Sequence, residues 1–140
     1  MKYFKTFLII LLILNFITLI FDHNKYKINV NTINGIWVGS LKNGLINYEF
    51  NFDNTCIIEI IRNNSDEIII LSGQYEIDLT KNPIPLSIRN VSQLNHPLYT
   101  IIQFINYETI MIGSYGVRWR LRPISFDYKN SIILKRKMEL

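Results

Sequence analysis

The feature that most constrains the fold is a succession of short, β-rich segments separated by turn signals. Residues 46–52 alternate apolar and polar side chains, which is the period of a strand with one buried and one wet face. Lys42-Asn43-Gly44 before this segment and Asp53-Asn54 after it are strong turn sequences. No segment of the body shows the period of an amphipathic helix, so the sequence predicts an all-β domain.

The predicted strands are short and follow one another closely. They cover residues 35–41, 46–52, 55–61, 68–77, 86–91, 98–105, 109–112, 117–121 and 131–135. Gly73 is expected to mark a bend or a bulge. Such a series favours an antiparallel meander, and a barrel removes the exposed edges through which an isoleucine-rich chain aggregates. We therefore predict an antiparallel up-and-down barrel of about eight strands.

The N-terminus has the order of a membrane-targeting segment. Lys2 and Lys5 precede an apolar run over residues 7–21, and polar residues begin at Asp22. We predict that residues 1–21 form one hydrophobic helix, either a membrane anchor or a signal peptide. The chain has no alanine for a cleavage site, which favours the anchor. The domain is then expected on the extracytoplasmic side of the membrane, or secreted or periplasmic if the segment is cleaved.

The rest of the chain is predicted to be a polar, asparagine-rich tether over residues 22–34 and one domain over residues 35–137. Its charge is uneven: residues 22–117 hold six basic and nine acidic side chains, and residues 118–140 hold seven and two. An exported domain does not normally meet nucleic acid. The basic end therefore favours an anionic ligand, a lipid headgroup or an acidic envelope protein as partner.

Three landmarks resemble a small bacterial lipocalin-like family, part of the calycin group of barrels. Gly35-Ile36-Trp37 resembles the Gly-x-Trp signature of the first strand. A second landmark spans residues 73–88. The third is Arg122-Pro123-Ile124-Ser125-Phe126, which precedes a final strand ending in a basic residue. The resemblance covers residues 34–137 and implies a barrel without an established activity.

The resemblance also implies structural roles. Its signature residues here are Gly35, Trp37, Arg122, Pro123, Phe126 and Arg136. In lipocalins a late basic residue packs over the first-strand tryptophan, so Arg136, with Lys135 as the other option, is expected over Trp37. We expect Trp37 to plug one end of the barrel rather than to contact a ligand. Lipocalins usually have a helical turn before Gly-x-Trp, where this chain has its predicted tether.

The predicted strand 117–121 holds the candidate ligand-binding residues. Arg118, Arg120 and Arg122 recur at every second position and would share one strand face. If that face were the lumen, Arg118 and Arg120, with Trp119 beside them, could bind a carboxylate or phosphate. The alternative is a solvated outer face for the arginines, with Trp119 and Leu121 facing inward, because three arginines in a lumen are costly to desolvate.

Other chemistry has little support. Cys56 is the one cysteine, so no internal disulfide is possible, and it is expected to be a small buried hydrophobe. His23 and His96 are isolated and do not make a metal site. No nucleophile motif or phosphate-binding loop occurs, so we expect neither an enzyme nor a cofactor.

Two functions therefore stay open. The first is a membrane-anchored or exported barrel that binds a small apolar or amphipathic ligand. The second is a filled barrel that acts as a structural or protein-interaction module of the cell envelope. An apolar cavity of about 300 Å³ or more favours the first. A packed interior with an exposed apolar patch favours the second.

Overall fold

The protein is a closed antiparallel barrel in the computed structural model, which describes residues 28–63 and 67–138 of the 140-residue chain. Each strand pairs with the next, and β8 closes the barrel against β1. The strands are β1 Gly35–Leu41, β2 Gly44–Phe50, β3 Thr55–Arg62, β4 Ile68–Ile77, β5 Ile84–Arg89, β6 Leu98–Asn106, β7 Thr109–Ile112 and β8 Ile132–Arg136. Two short 3-10 helices accompany them, η1 at Val30–Ile33 and η2 at Trp119–Leu121.

The predicted all-β meander of about eight strands is confirmed. The predicted strands 35–41, 68–77 and 109–112 match their observed bounds. The bounds of the other strands that form differ from the predicted ones by at most two residues, most at β2 and β5. Gly73 is not a bulge, since it pairs in register opposite Cys56; the register shift lies in β6, between Phe104 and Asn106.

The prediction of a strand over residues 117–121 is wrong. Trp119–Leu121 form η2, and only Gly116 makes an isolated bridge, to Tyr99. The reason is topological, because β8 pairs with both β7 and β1 and so closes the barrel. No strand edge is then left for residues 117–121 to pair with.

The folded body begins earlier than the sequence predicts. Val30–Ile33 form η1, in which Ile33 is fully buried, and Asn34 after it is buried too. Tyr75 Oη donates to Asn34 Oδ1 over 2.7 Å. The stretch predicted as tether therefore ends in a helical turn that packs on the barrel. The predicted hydrophobic helix at residues 1–21 and residues 22–27 lie outside the described residues. No helix in residues 28–63 or 67–138 is both long and apolar enough to cross a membrane.

Large side chains fill the barrel interior. Tyr48 and Phe50 stack with ring centroids 5.9 Å apart, and the ring of Tyr75 meets Phe50 edge-on at 5.1 Å. Cys56 lies in the same buried core, as expected. The remaining core consists mainly of isoleucine and leucine: Ile33, Ile46, Ile58, Leu86, Ile88, Ile102, Ile110, Ile112 and Leu134.

A long connection between β7 and β8, residues 113–131, folds back over the outside of the barrel, and we call it the strap. Arg122 Nη2 donates to Ser87 Oγ on β5 over 2.6 Å, and the arginine stacks on Tyr99 of β6, 5.3 Å from the ring centroid. Ile101 lies on the outer side of β6, beside Gly113, and is still buried. The strap therefore covers part of one wall of the barrel.

Candidate functional site

Near the end of β7, the lumen is occupied by a tyrosine that enters from the strap. Tyr115 packs against the core, and its hydroxyl donates to the hydroxyl of Tyr48 over 3.0 Å. Burial raises the pKa of Tyr48 and of Tyr115 above the ordinary tyrosine value. The two hydroxyls therefore stay neutral and link the strap to the far side of the barrel.

The interior offers little reactive chemistry. Burial, and then the nearby charge of Glu49, raises the pKa of the Cys56 thiol to about 12. The thiol is therefore protonated at neutral pH, and a protonated thiol is a poor nucleophile. Within the described ranges no three His, Cys, Asp or Glu side chains come together as a metal site.

The opposite end of the barrel is closed around Trp37 and Arg136. The guanidinium carbon of Arg136 lies 4.1 Å from the Trp37 ring centroid, the contact that the lipocalin resemblance implied. Trp37 is fully buried, and its Nε1 donates to the Ile33 carbonyl over 2.6 Å. Lys135, the other option, is exposed. These two signature residues thus hold the end of the barrel instead of facing an open lumen.

Arg136 ties two other segments of the chain to this end of the barrel. Its Nη2 donates to the carbonyl oxygen of Thr32 over 2.7 Å and its Nη1 to that of Asn34 over 2.6 Å. Its Nε donates to the carbonyl oxygen of Tyr107 over 3.1 Å. A Cβ on Gly35 would come within 2.7 Å of Arg136 Nη1, so glycine at this position leaves room for the guanidinium.

The candidate ligand-binding residues lie outside the lumen. Arg118, Trp119 and Arg120 are exposed on the strap, where they line a groove of about 370 Å³ with Pro97 and Tyr99. Arg120 stacks on Trp119, with its guanidinium carbon 5.2 Å from the ring centroid. The expected alternation of inward and outward residues is absent, because this stretch is not a strand. Neither the lumenal arginines nor an inward-facing Trp119 and Leu121 are found.

The third arginine and its neighbours have a structural position. Arg122 holds the strap to Ser87, and its Nε is buried without a hydrogen-bond partner among the described residues. Pro123 lies against Gly113, and Phe126 is half-buried. The late Arg-Pro-x-x-Phe stretch therefore shapes the strap.

A second pocket beside Arg122 is small and largely neutralised. It measures about 160 Å³ and lies between the strap and the β4–β5 connection. Two of its charges are paired with carboxylates: Arg89 lies 2.9 Å from Glu76, and Lys81 lies 3.4 Å from Asp78. It therefore provides little net charge for a ligand.

Sequence reasoning missed the Tyr48–Tyr115 pair. The two residues are 67 positions apart, and Tyr115 lies in an irregular segment with no periodicity. Tyr48 alone was recognisable as an inward residue of an alternating strand. The position of its partner, Tyr115, depends on the path by which the strap returns to the barrel. No local sequence pattern indicates that path.

Fold and site together define the chain as an all-β protein built on a closed eight-strand antiparallel barrel. The barrel has a packed interior, one sealed end and an external strap. No family model, no curated protein and no solved structure matches the chain.

Proposed function

We propose that this protein is a lipocalin-like barrel with a filled interior, which acts as a structural or protein-interaction module on the outer side of a cell membrane. The Gly-x-Trp start and the contact of Arg136 with Trp37 support the lipocalin-like assignment. The basic and apolar order of residues 1–21 supports the location. The proposal includes no catalytic residue, cofactor or nucleic acid.

The observation that carries the proposal is the occupation of the lumen. Tyr48, Phe50 and Tyr75 are buried there, and Tyr115 joins them from the strap, while the buried Trp37 closes one end. Aromatic side chains of this size fill the interior of an eight-strand barrel, which is only wide enough for side chains or one small ligand. A carrier of an apolar or amphipathic ligand would need the space that these rings take.

The test is native mass spectrometry of the full chain, purified from its host membranes, with a variant that opens the lumen. Tyr115→Ala removes the ring that enters the lumen from the strap, and Phe52→Ala removes an exposed ring outside the strap. We expect wild type and Phe52→Ala to carry the same lipids. Tyr115→Ala should retain one additional small apolar molecule.

The opposite result would contradict the filled barrel. In that result, the wild-type chain carries a small molecule at a ratio of one to one. The protons of this molecule show nuclear Overhauser contacts to Tyr48 or Tyr115. Such contacts place the molecule inside the lumen, whereas lipids carried by residues 1–21 do not produce them.

A further inference from the structure

The strap exposes large apolar side chains. Trp119 is 65 % exposed, Ile124 87 % and Tyr128 82 %, and Val117 and Leu121 are also exposed. All five lie within a stretch of twelve residues, 117–128, which is irregular apart from η2. Exposing several large apolar side chains to water within one short stretch is unfavourable in free energy. We call residues 117–129 the strap patch.

The strap patch carries a net positive charge. Arg118, Arg120 and Lys129 are exposed, and none of them forms an ion pair within the described ranges. Asp127 is the one carboxylate of the strap patch. Its Oδ1 accepts from the Lys129 backbone N–H over 3.0 Å, and its Oδ2 accepts from Asn130 Nδ2 over 2.6 Å. Both donors are neutral and leave the charge of Asp127 in place, so the strap patch has four basic side chains against one carboxylate. Its net charge is therefore positive.

This combination is typical of a surface that meets anionic lipid. Tryptophan and tyrosine favour the interface between headgroups and acyl chains, and basic side chains next to them pair with lipid phosphates. The stack of Arg120 on Trp119 places such a cation directly beside such a ring. A protein partner is less favoured, because the closed barrel leaves no strand edge for pairing and the apolar side chains stand out from a narrow strap.

The position of the strap patch is compatible with the predicted anchor. The chain enters the barrel at the end where β1 begins, and Trp119 lies near Pro97, at the opposite end where β6 begins. Tilted strands of this length span about 20 Å along the barrel axis. The eight residues 22–29 can extend about 27 Å, which lets an anchored barrel lie with its strap side on the bilayer.

We infer that the strap patch docks the barrel side-on to an anionic lipid surface. Trp119, Leu121, Ile124 and Tyr128 enter the headgroup region. Arg118, Arg120 and Lys129 pair with the lipid phosphates. The barrel is then held at two places, by residues 1–21 and by the strap patch, and its remaining walls face away from the membrane.

The experiment is tryptophan fluorescence of the full chain in vesicles. Residues 1–21 are expected to associate with any bilayer, so binding itself is not the readout. Trp119 is exposed and Trp37 is buried, so a change in emission on docking comes from Trp119. The vesicles contain phosphatidylcholine alone, or equal parts of phosphatidylcholine and phosphatidylglycerol, with brominated acyl chains to report contact by quenching. Trp119→Ala supplies the Trp37 background.

We expect a blue shift and quenching of Trp119 in the phosphatidylglycerol vesicles and much less in phosphatidylcholine alone. A basic residue near an anionic surface changes partitioning about fivefold, so losing two should lower the ratio of docked to undocked strap about 30-fold. Arg118→Gln with Arg120→Gln is the test variant. Lys42→Gln with Lys135→Gln is the matched control, because it removes two exposed charges outside the strap.

Three results would overturn the inference. The first is an emission of Trp119 that does not change between lipid-free detergent solution and either kind of vesicle. The second is a shift of equal size in both lipids that the arginine variant does not change, which means apolar contact without headgroup recognition. The third is a shift that needs no lipid and grows with protein concentration, which assigns the strap patch to a second copy of the chain.

Discussion

Arg136 shows how one side chain can determine the closed end of the barrel. It donates to three carbonyl oxygens, two in residues 32–34 and one at Tyr107, and covers the face of Trp37. Partial burial lowers the pKa of Arg136 below the ordinary arginine value. Because that value is so high, the side chain stays charged at neutral pH. A planar guanidinium suits this geometry, since it presents several donors in a fixed fork and stacks on an aromatic ring.

Replacing Arg136 with lysine should therefore destabilise the fold although the charge is kept. Lysine cannot reach three diverging carbonyl oxygens and stack on Trp37 at once, so we expect a loss of about 2–3 kcal/mol in the free energy of unfolding. Urea unfolding followed by tryptophan fluorescence measures it. Arg118→Lys makes the same substitution at an exposed site and should change stability by less than about 0.5 kcal/mol. Equal effects of the two variants would contradict the role of Arg136.

At the scale of elements, regular strands were predictable from the sequence and the strap was not. Alternation and turn dipeptides located β2 and β3 within two residues, because burial of one sheet face imposes period two on the sequence. Residues 117–121 alternate in the same way and still form no strand. Whether an alternating segment pairs depends on a free edge, and closure of the barrel by β8 leaves none. The helical turn η1 was also missed, since it has no periodicity and depends on packing of Ile33.

The same limit applies to the candidate site. The contact of Arg136 with Trp37 was expected from a resemblance, because it involves residues at recognisable landmarks. The link from Tyr115 to Tyr48 and the attachment of Arg122 to Ser87 depend on the path of the strap. That path is fixed by contacts between distant parts of the chain, which a single sequence does not display.

Attachment of the strap can be tested at Ser87. Ser87→Ala removes the acceptor of Arg122 Nη2 and leaves two donors of that side chain without partners. A lost hydrogen bond to a charged group corresponds to about tenfold in the local opening equilibrium. We therefore expect the Gly116 amide, which donates to the Tyr99 carbonyl over 2.8 Å, to exchange its hydrogen about tenfold faster. Ser40→Ala on the exposed side of β1 is the control. An unchanged Gly116 rate in Ser87→Ala would mean that the strap is held elsewhere.

For the whole molecule, the filled lumen makes stability depend on pH in the alkaline range. Cys56, Tyr48 and Tyr115 are weak acids that the fold keeps away from water, so burial raises the pKa of all three. In the unfolded chain the thiol ionises near its ordinary value of 9.0, and in the folded barrel near 12. Between these values the unfolded state releases protons that the folded state retains. The stabilisation is therefore complete below about pH 9 and declines as the pH rises toward about 12.

The free energy of unfolding should accordingly fall with pH in this window, and part of the fall should belong to Cys56. One group that ionises only in the unfolded state contributes a slope of about 1.4 kcal/mol per pH unit. Cys56→Ala removes that group, so its stability should decline less steeply, although its stability at neutral pH is lower because a buried side chain has been shortened. Urea unfolding under reducing conditions at several pH values gives the slopes.

Tyr128→Phe removes a tyrosine that is 82 % exposed and should keep the wild-type slope. If Cys56→Ala keeps it too, the thiol ionises equally in both states and water reaches the interior. The barrel would then have open space in its lumen, so this slope also tests whether the interior is filled.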